Sequence, residues 1–102
     1  MKKINGLSEE DQNKIIALCK AILPECTIWL YGSRARGDFR SNSDIDLALD
    51  DKKPIDIMKL SELKEVLQAT NIFLKIDIID LENITDQNFL KSILQERILW
   101  KE

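Results

Sequence analysis

Apolar residues recur along this chain with two different spacings. After Ser8, the residues Ile15, Ile16, Cys19, Ile22 and Leu23 return at helical intervals, and Pro24 follows them. Ser8 with Asp11 three places on resembles a loose capping box, so the spacing predicts a helix that opens at Ser8 and closes at Pro24. "TIWLY" is rich in strand formers and ends at Gly32. "SRARGD" predicts a short turn of helix. "DIDLALD" then alternates strictly. Ile45, Leu47 and Leu49 face one way, and Asp44, Asp46 and Ala48 face the other.

The second half repeats the alternation of helix and strand. "DDKKP" reads as a loop. Residues 55–70 have helical periodicity through Leu60, Leu63, Val66 and Leu67, and "FLKIDIIDL" reads as a further strand. In "ENITDQNFLKSILQERILW", Thr85 is the expected N-cap, and Ile84 and Phe89 stand where a hydrophobic staple needs them. Phe89, Leu90, Ile93, Leu94 and Ile98 form its apolar stripe. The predicted order is α-β-α-β-α-β-α, an α/β sandwich in which helices pack on a sheet. Trp29 and Tyr31 share a strand face and read as sheet aromatics. The 102 residues fit one domain, 1–102, with a single core.

Composition narrows the chemistry. Histidine is absent, which removes Ser-His and Cys-His nucleophile pairs, and the two cysteines alone make a poor zinc site. Cys19 and Cys26 sit among apolar neighbours and are expected as buried free thiols. Any catalysis rests on carboxylates, lysines, arginines, hydroxyls or a hard metal ion. A net charge of −3 argues against direct nucleic-acid binding, though a local basic patch can still hold a nucleotide. No secretory h-region and no membrane-length apolar run is present, so the expected location is cytoplasmic.

The stretch "YGSRARGDFRSNSDIDLAL" concentrates the unusual residues. Asp44 and Asp46 are two apart on a strand, so both project from one face while Ile45 enters the core. Two close carboxylates repel unless a cation relieves them, and Mg²⁺ takes a few carboxylates plus phosphate oxygens and water. Asp-x-Asp by itself also fits a solvated strand edge. Upstream, Gly32 lets the backbone approach a ligand, Ser33 adds a hydroxyl, and Arg34 and Arg36 add positive charge. Taken alone, that half also fits a tight turn with solvated arginines. Together the halves make one site, with donors for a triphosphate and carboxylates for its metal. A third carboxylate would complete two-metal chemistry. Asp77 lies mid-strand on the face of Lys75 and Ile79. Asp80 lies on the opposite face near the strand end, so Asp77 is the candidate.

On these residues the chain resembles the DNA polymerase β-type nucleotidyltransferase superfamily, and its minimal nucleotidyltransferase (MNT) branch in particular. The matching positions are Gly32, Ser33, Arg34, Arg36, Gly37, Ser43, Asp44 and Asp46, and the resemblance runs from residue 27 to residue 80. It implies the DNA polymerase β-like nucleotidyltransferase fold, a small mixed sheet packed with helices. It implies a nucleotide-binding set of Gly32, Ser33, Arg34, Arg36 and Ser43. Asp44, Asp46 and Asp77 would be catalytic and would bind metal, with two Mg²⁺ ions and ATP as substrate. MNT proteins of this kind are often antitoxins, and some transfer AMP to a tyrosine of a HEPN-type toxin. With no acceptor module visible in the sequence, the acceptor is expected in trans, in a homo-oligomer or in a hetero-oligomer with the toxin. Two alternatives stay open. One is a non-catalytic antitoxin that blocks the toxin by contact, and the other is a small-molecule (aminoglycoside-like) nucleotidyltransferase.

Overall fold

Thr27–Tyr31 is rich in β-branched and aromatic residues and becomes the strand around which the sheet is built. The computed structural model describes residues 3–102. A two-residue hairpin opens it, β1 (Lys3–Ile4) and β2 (Leu7–Ser8), turning on Asn5 and Gly6 with φ of 54° and 77°. Two successive left-handed residues match the twist of a tight hairpin, and Asn-Gly is the pair that adopts them most readily.

Helix α1 (Glu9–Ile22) follows directly. Ser8 caps it, its Oγ accepting the Asp11 N–H at 3.1 Å, and three acidic residues line its first turn. Pro24 stands two residues beyond its end, as expected. Strand β3 (Thr27–Tyr31), helix α2 (Ser33–Arg36) and strand β4 (Ile45–Asp50) come next. Then come α3 (Ile57–Gln68) and β5 (Ile76–Asp80), a 3₁₀ turn at Leu81–Asn83, α4 (Gln87–Glu96) and β6 (Ile98–Lys101).

The sheet order is β5-β4-β3-β6. β4 runs antiparallel to β3 and parallel to β5, and β6 is antiparallel to β3, so the sheet is mixed. One face carries Ile28, Leu30, Ile45, Leu47 and Leu49, all fully buried beneath Ile15 and Cys19 of α1 and Leu63 and Leu67 of α3. The alternation of "DIDLALD" is therefore realised as the pattern requires. The other face carries Trp29, Tyr31, Ala48 and Ile79, and α4 covers it through Ile93. Among the described residues, no helix is long and apolar enough to cross a membrane.

Besides the N-terminal hairpin, which the sequence pattern does not predict, the structure departs from it at three places in the last segment. The last helix stops at Glu96, and Ile98 begins a strand instead of continuing the stripe. An unpaired edge on β3 would leave a row of backbone groups unsatisfied, and Ile98–Lys101 supplies the partners. The N-cap is Asp86, one residue later than Thr85. Its Oδ1 accepts from the N–H of both Asn88 and Phe89, at 3.0 and 3.2 Å. An anionic cap with two donors outcompetes a hydroxyl at a helix's positive end. With Asp86 as the cap, Phe89 stands at N3 instead of the staple position N4, and it meets Tyr31 edge-on, ring centroids 6.1 Å apart.

Candidate active site

Parallel pairing sets the site. Asp46 and Asp77 are register partners on neighbouring strands, so their side chains leave the sheet side by side. Asp44 lies just before β4, two residues from Asp46 and on the same face. The Ile45 N–H donates to the Lys75 carbonyl at 2.8 Å and locks the two strand starts together. One oxygen from each of Asp44, Asp46 and Asp77 lies within 4.8 Å of the others. Hard oxygen donors this close suit a divalent cation bound with water and phosphate oxygens, so the residues present fit such an ion.

The electrostatics have the same character. Burial, then the carboxylates of Asp77 and Asp44, push the Asp46 carboxyl above the ordinary range, against the pull of Arg36 and Lys75. Burial, followed by Asp46, Asp77 and Glu96, pushes the Tyr31 phenol up to about 12. Lys75 stands 3.7 Å from Asp77 Oδ2, but both are open to solvent and the pair is weak.

Gly32 ends β3 beside these acids. Its φ is 77°, and a Cβ there would collide with Asp46 Oδ2. Glycine is thus required twice, for the backbone angle and for the approach of a carboxylate. Ser33 opens α2 next to it, and Gly37, left-handed at φ 93°, closes that helix by returning its N–H to the Ser33 carbonyl at 2.9 Å.

Other expected members of the nucleotide-binding set are engaged differently. Arg34 is 1% exposed. Its guanidinium donates to the carbonyls of Asn5 (3.0 Å), Ser41 (3.3 Å) and Ser43 (2.9 Å), and it lies 5.0 Å over the Phe39 ring. It clamps the N-terminal hairpin to the loop that delivers Asp44, and it is not free to meet a phosphate. The short sequence spacing cannot tell an arginine turned inward from one turned out. Ser43 likewise spends its Oγ inside that loop, accepting the Arg40 N–H at 2.8 Å.

Arg36 does face the site, but with carboxylates of its own. Its Nη1 donates to Glu96 Oε1 and Oε2 at 3.2 and 3.3 Å, and its Nε to Asp38 Oδ2 at 3.4 Å. Glu96 Oε1 also accepts the Gly32 N–H at 3.1 Å. No local pattern flags Glu96, which closes a polar turn of α4 some 60 residues from Arg36. Only the tertiary fold brings it to the Gly32 amide and Arg36. Asp80 occupies the opposite face from Asp77, as its parity requires. It is buried there, Oδ2 accepting the Ile55 N–H at 2.8 Å and Oδ1 that of Glu82 at 3.1 Å.

The profile of the polymerase beta nucleotidyltransferase family matches residues 13–102. A curated relative, the protein adenylyltransferase MntA of Shewanella oneidensis, is 30% identical over 95 residues, covering 92% of this chain and 68% of its own length. A crystal structure of a toxin-antitoxin with AMP-PNP superposes with a TM-score of 0.73 at 27% identity, covering 87% of this chain and 71% of that one. A structure of the tri-AMPylated Shewanella oneidensis HEPN toxin in complex with MNT antitoxin superposes with a TM-score of 0.69. There the identity is 22%, a likeness of fold, with 90% of this chain and 70% of that one covered. The glycine-serine turn beside paired strand carboxylates and the match over most of its length agree: the chain belongs to the polymerase beta nucleotidyltransferase family.

Proposed function

We propose that this protein transfers AMP from ATP to a tyrosine hydroxyl of a partner HEPN-type toxin, and so serves as its antitoxin. The observation that carries the reading is the convergence of Asp44, Asp46 and Asp77 beside the Gly32–Ser33 turn. The relative named as a protein adenylyltransferase and the similar toxin-antitoxin structure with AMP-PNP support the substrate and the partner.

In this reading Asp44, Asp46 and Asp77 would hold Mg²⁺, and the triphosphate would rest against Gly32 and Ser33. A bound divalent ion, or two, would neutralise phosphate charge and orient the α-phosphorus. The toxin's hydroxyl oxygen forms the new bond to that phosphorus and passes its proton to Asp77. The bond from the α-phosphorus to the bridging oxygen breaks, and pyrophosphate leaves. Positioning and charge stabilisation supply most of the acceleration in such transfers.

A contact-only antitoxin draws on one observation, the exposed apolar residues of α4 and β6, with Leu94 and Leu99 46% and 43% exposed. Pyrophosphate release from the purified protein, its cognate partner and MgATP separates the two. The expected result is one pyrophosphate per AMP added, abolished by chelation and by Asp46→Asn. No release by the metal-loaded protein, with Asp46→Asn still protecting cells, would overturn the enzyme in favour of the contact module.

A further inference from the structure

Glu96 is a carboxylate without a task in the transfer chemistry. Its side chain is only 20% exposed. It accepts from two donors on the phosphate side of the site, the Gly32 N–H at 3.1 Å and Arg36 Nη1 at 3.2 Å. Donor-to-oxygen distances of this kind are those a phosphate oxygen would make. Its backbone is firmly held. Arg97, the one residue between α4 and β6, returns its N–H to Ile93 at 2.9 Å and lays its guanidinium 3.9 Å over the Trp29 ring. The main chain at Glu96 is fixed, and the side chain alone can turn away.

Charge decides what that contact does. Arg36 already answers two carboxylates, Glu96 and Asp38. A triphosphate arriving at Gly32 meets a guanidinium that is neutralised and an amide that is occupied. Its oxygens must replace the Glu96 oxygens or lie against them, and like charges this close repel. The three aspartates add to that repulsion and leave the incoming anion dependent on its metal.

We propose that Glu96 sets the nucleotide affinity of the site as an internal competitor, holding the Gly32 amide and Arg36 until a metal-bound triphosphate displaces it. This rests on the nucleotidyl-transfer reading above. It adds an affinity-determining residue outside the glycine-serine and aspartate motifs.

The test is equilibrium titration of the purified full chain with MgATP and, separately, with adenosine. Glu96→Gln keeps the shape and a hydrogen-bond acceptor while removing the charge. Glu96→Ala removes both. Both variants should bind MgATP on the order of tenfold more tightly than wild type, with adenosine binding unchanged. In an Arg36→Gln background the gain should shrink but persist, because one of the two contested donors is gone and the Gly32 amide remains. Weaker or unchanged MgATP binding by a folded Glu96→Gln variant overturns the proposal and makes Glu96 a strut for the turn. A measurement on wild type alone covers the case of poorly folded variants. The Gly32 amide and Arg36 Nη1–H resonances, the two donors that Glu96 holds, should shift on saturation with MgATP and stay still with adenosine, and if they stay still with both, Glu96 is not displaced. Wild type that binds no MgATP at all removes the nucleotide reading itself, a different outcome from an affinity that Glu96 does not change.

Discussion

Asp46 is the most burdened side chain of the protein. It is half-buried, faces two other carboxylates, and lies so close to Gly32 that a methyl group there would strike it. Its carboxyl is held above the ordinary range, first by burial and then by Asp77 and Asp44. For an acid whose folded-state value is raised, the folded state binds the proton more tightly than the unfolded chain. Without metal, stability therefore falls as pH rises through that raised value. Asp46→Asn should raise the metal-free melting temperature by a few degrees at neutral pH, and the difference should close below the carboxylate range. Thermal melts with and without chelator across pH check this. A variant less stable than wild type at neutral pH would mean that the cluster is not under charge strain. The aspartates were legible in the sequence because a period of two fixes which way a strand residue points. Arg34 was not. Ser33, Ala35 and Arg36 beside it are exposed or half-exposed, and its inward turn depends on carbonyls from the N-terminal hairpin and the 40s loop.

At the scale of elements, the strands and the two long helices follow from alternation, propensity and capping, and they lie where the pattern put them. The exceptions had specific causes. Asn5-Gly6 is a strong hairpin signal, but each flanking strand is two residues long, too short to show alternation. β6 continues a helical stripe in sequence and turns into a strand because β3 offers a free edge, which is information from a distant part of the chain. Asp80 illustrates the same limit. Parity put it away from the site, while its partnership with the Ile55 and Glu82 amides, which ties the start of α3 to the end of β5, needed the fold. Asp80→Asn should leave transfer intact and cost about 1–2 kcal/mol of stability, because one of its two acceptor oxygens becomes an NH2 that cannot accept a backbone N–H. Denaturant unfolding together with an activity assay reads both. A dead but fully stable Asp80→Asn variant would move the catalytic carboxylate from Asp77 to Asp80 and break the register argument.

Across the whole molecule, one side of the mixed sheet makes the core and the other makes the site. α1 and α3 seal the first. α4 covers only part of the second, through Ile93, and leaves the aspartates open at the strand ends. The helix and strand that bring Glu96 to Gly32 also present Leu94 and Leu99 to solvent, so the Glu96–Gly32 contact and an apolar outer surface share the same elements. The most direct measurement of the proposed function is the intact mass of the proposed toxin partner, co-expressed with this protein and with its Asp46→Asn variant. A gain of one or more AMP units with wild type alone is the predicted result, and peptide mapping then finds the acceptor. No mass gain with either, while both still form the complex, would contradict it and leave the three carboxylates without a catalytic role.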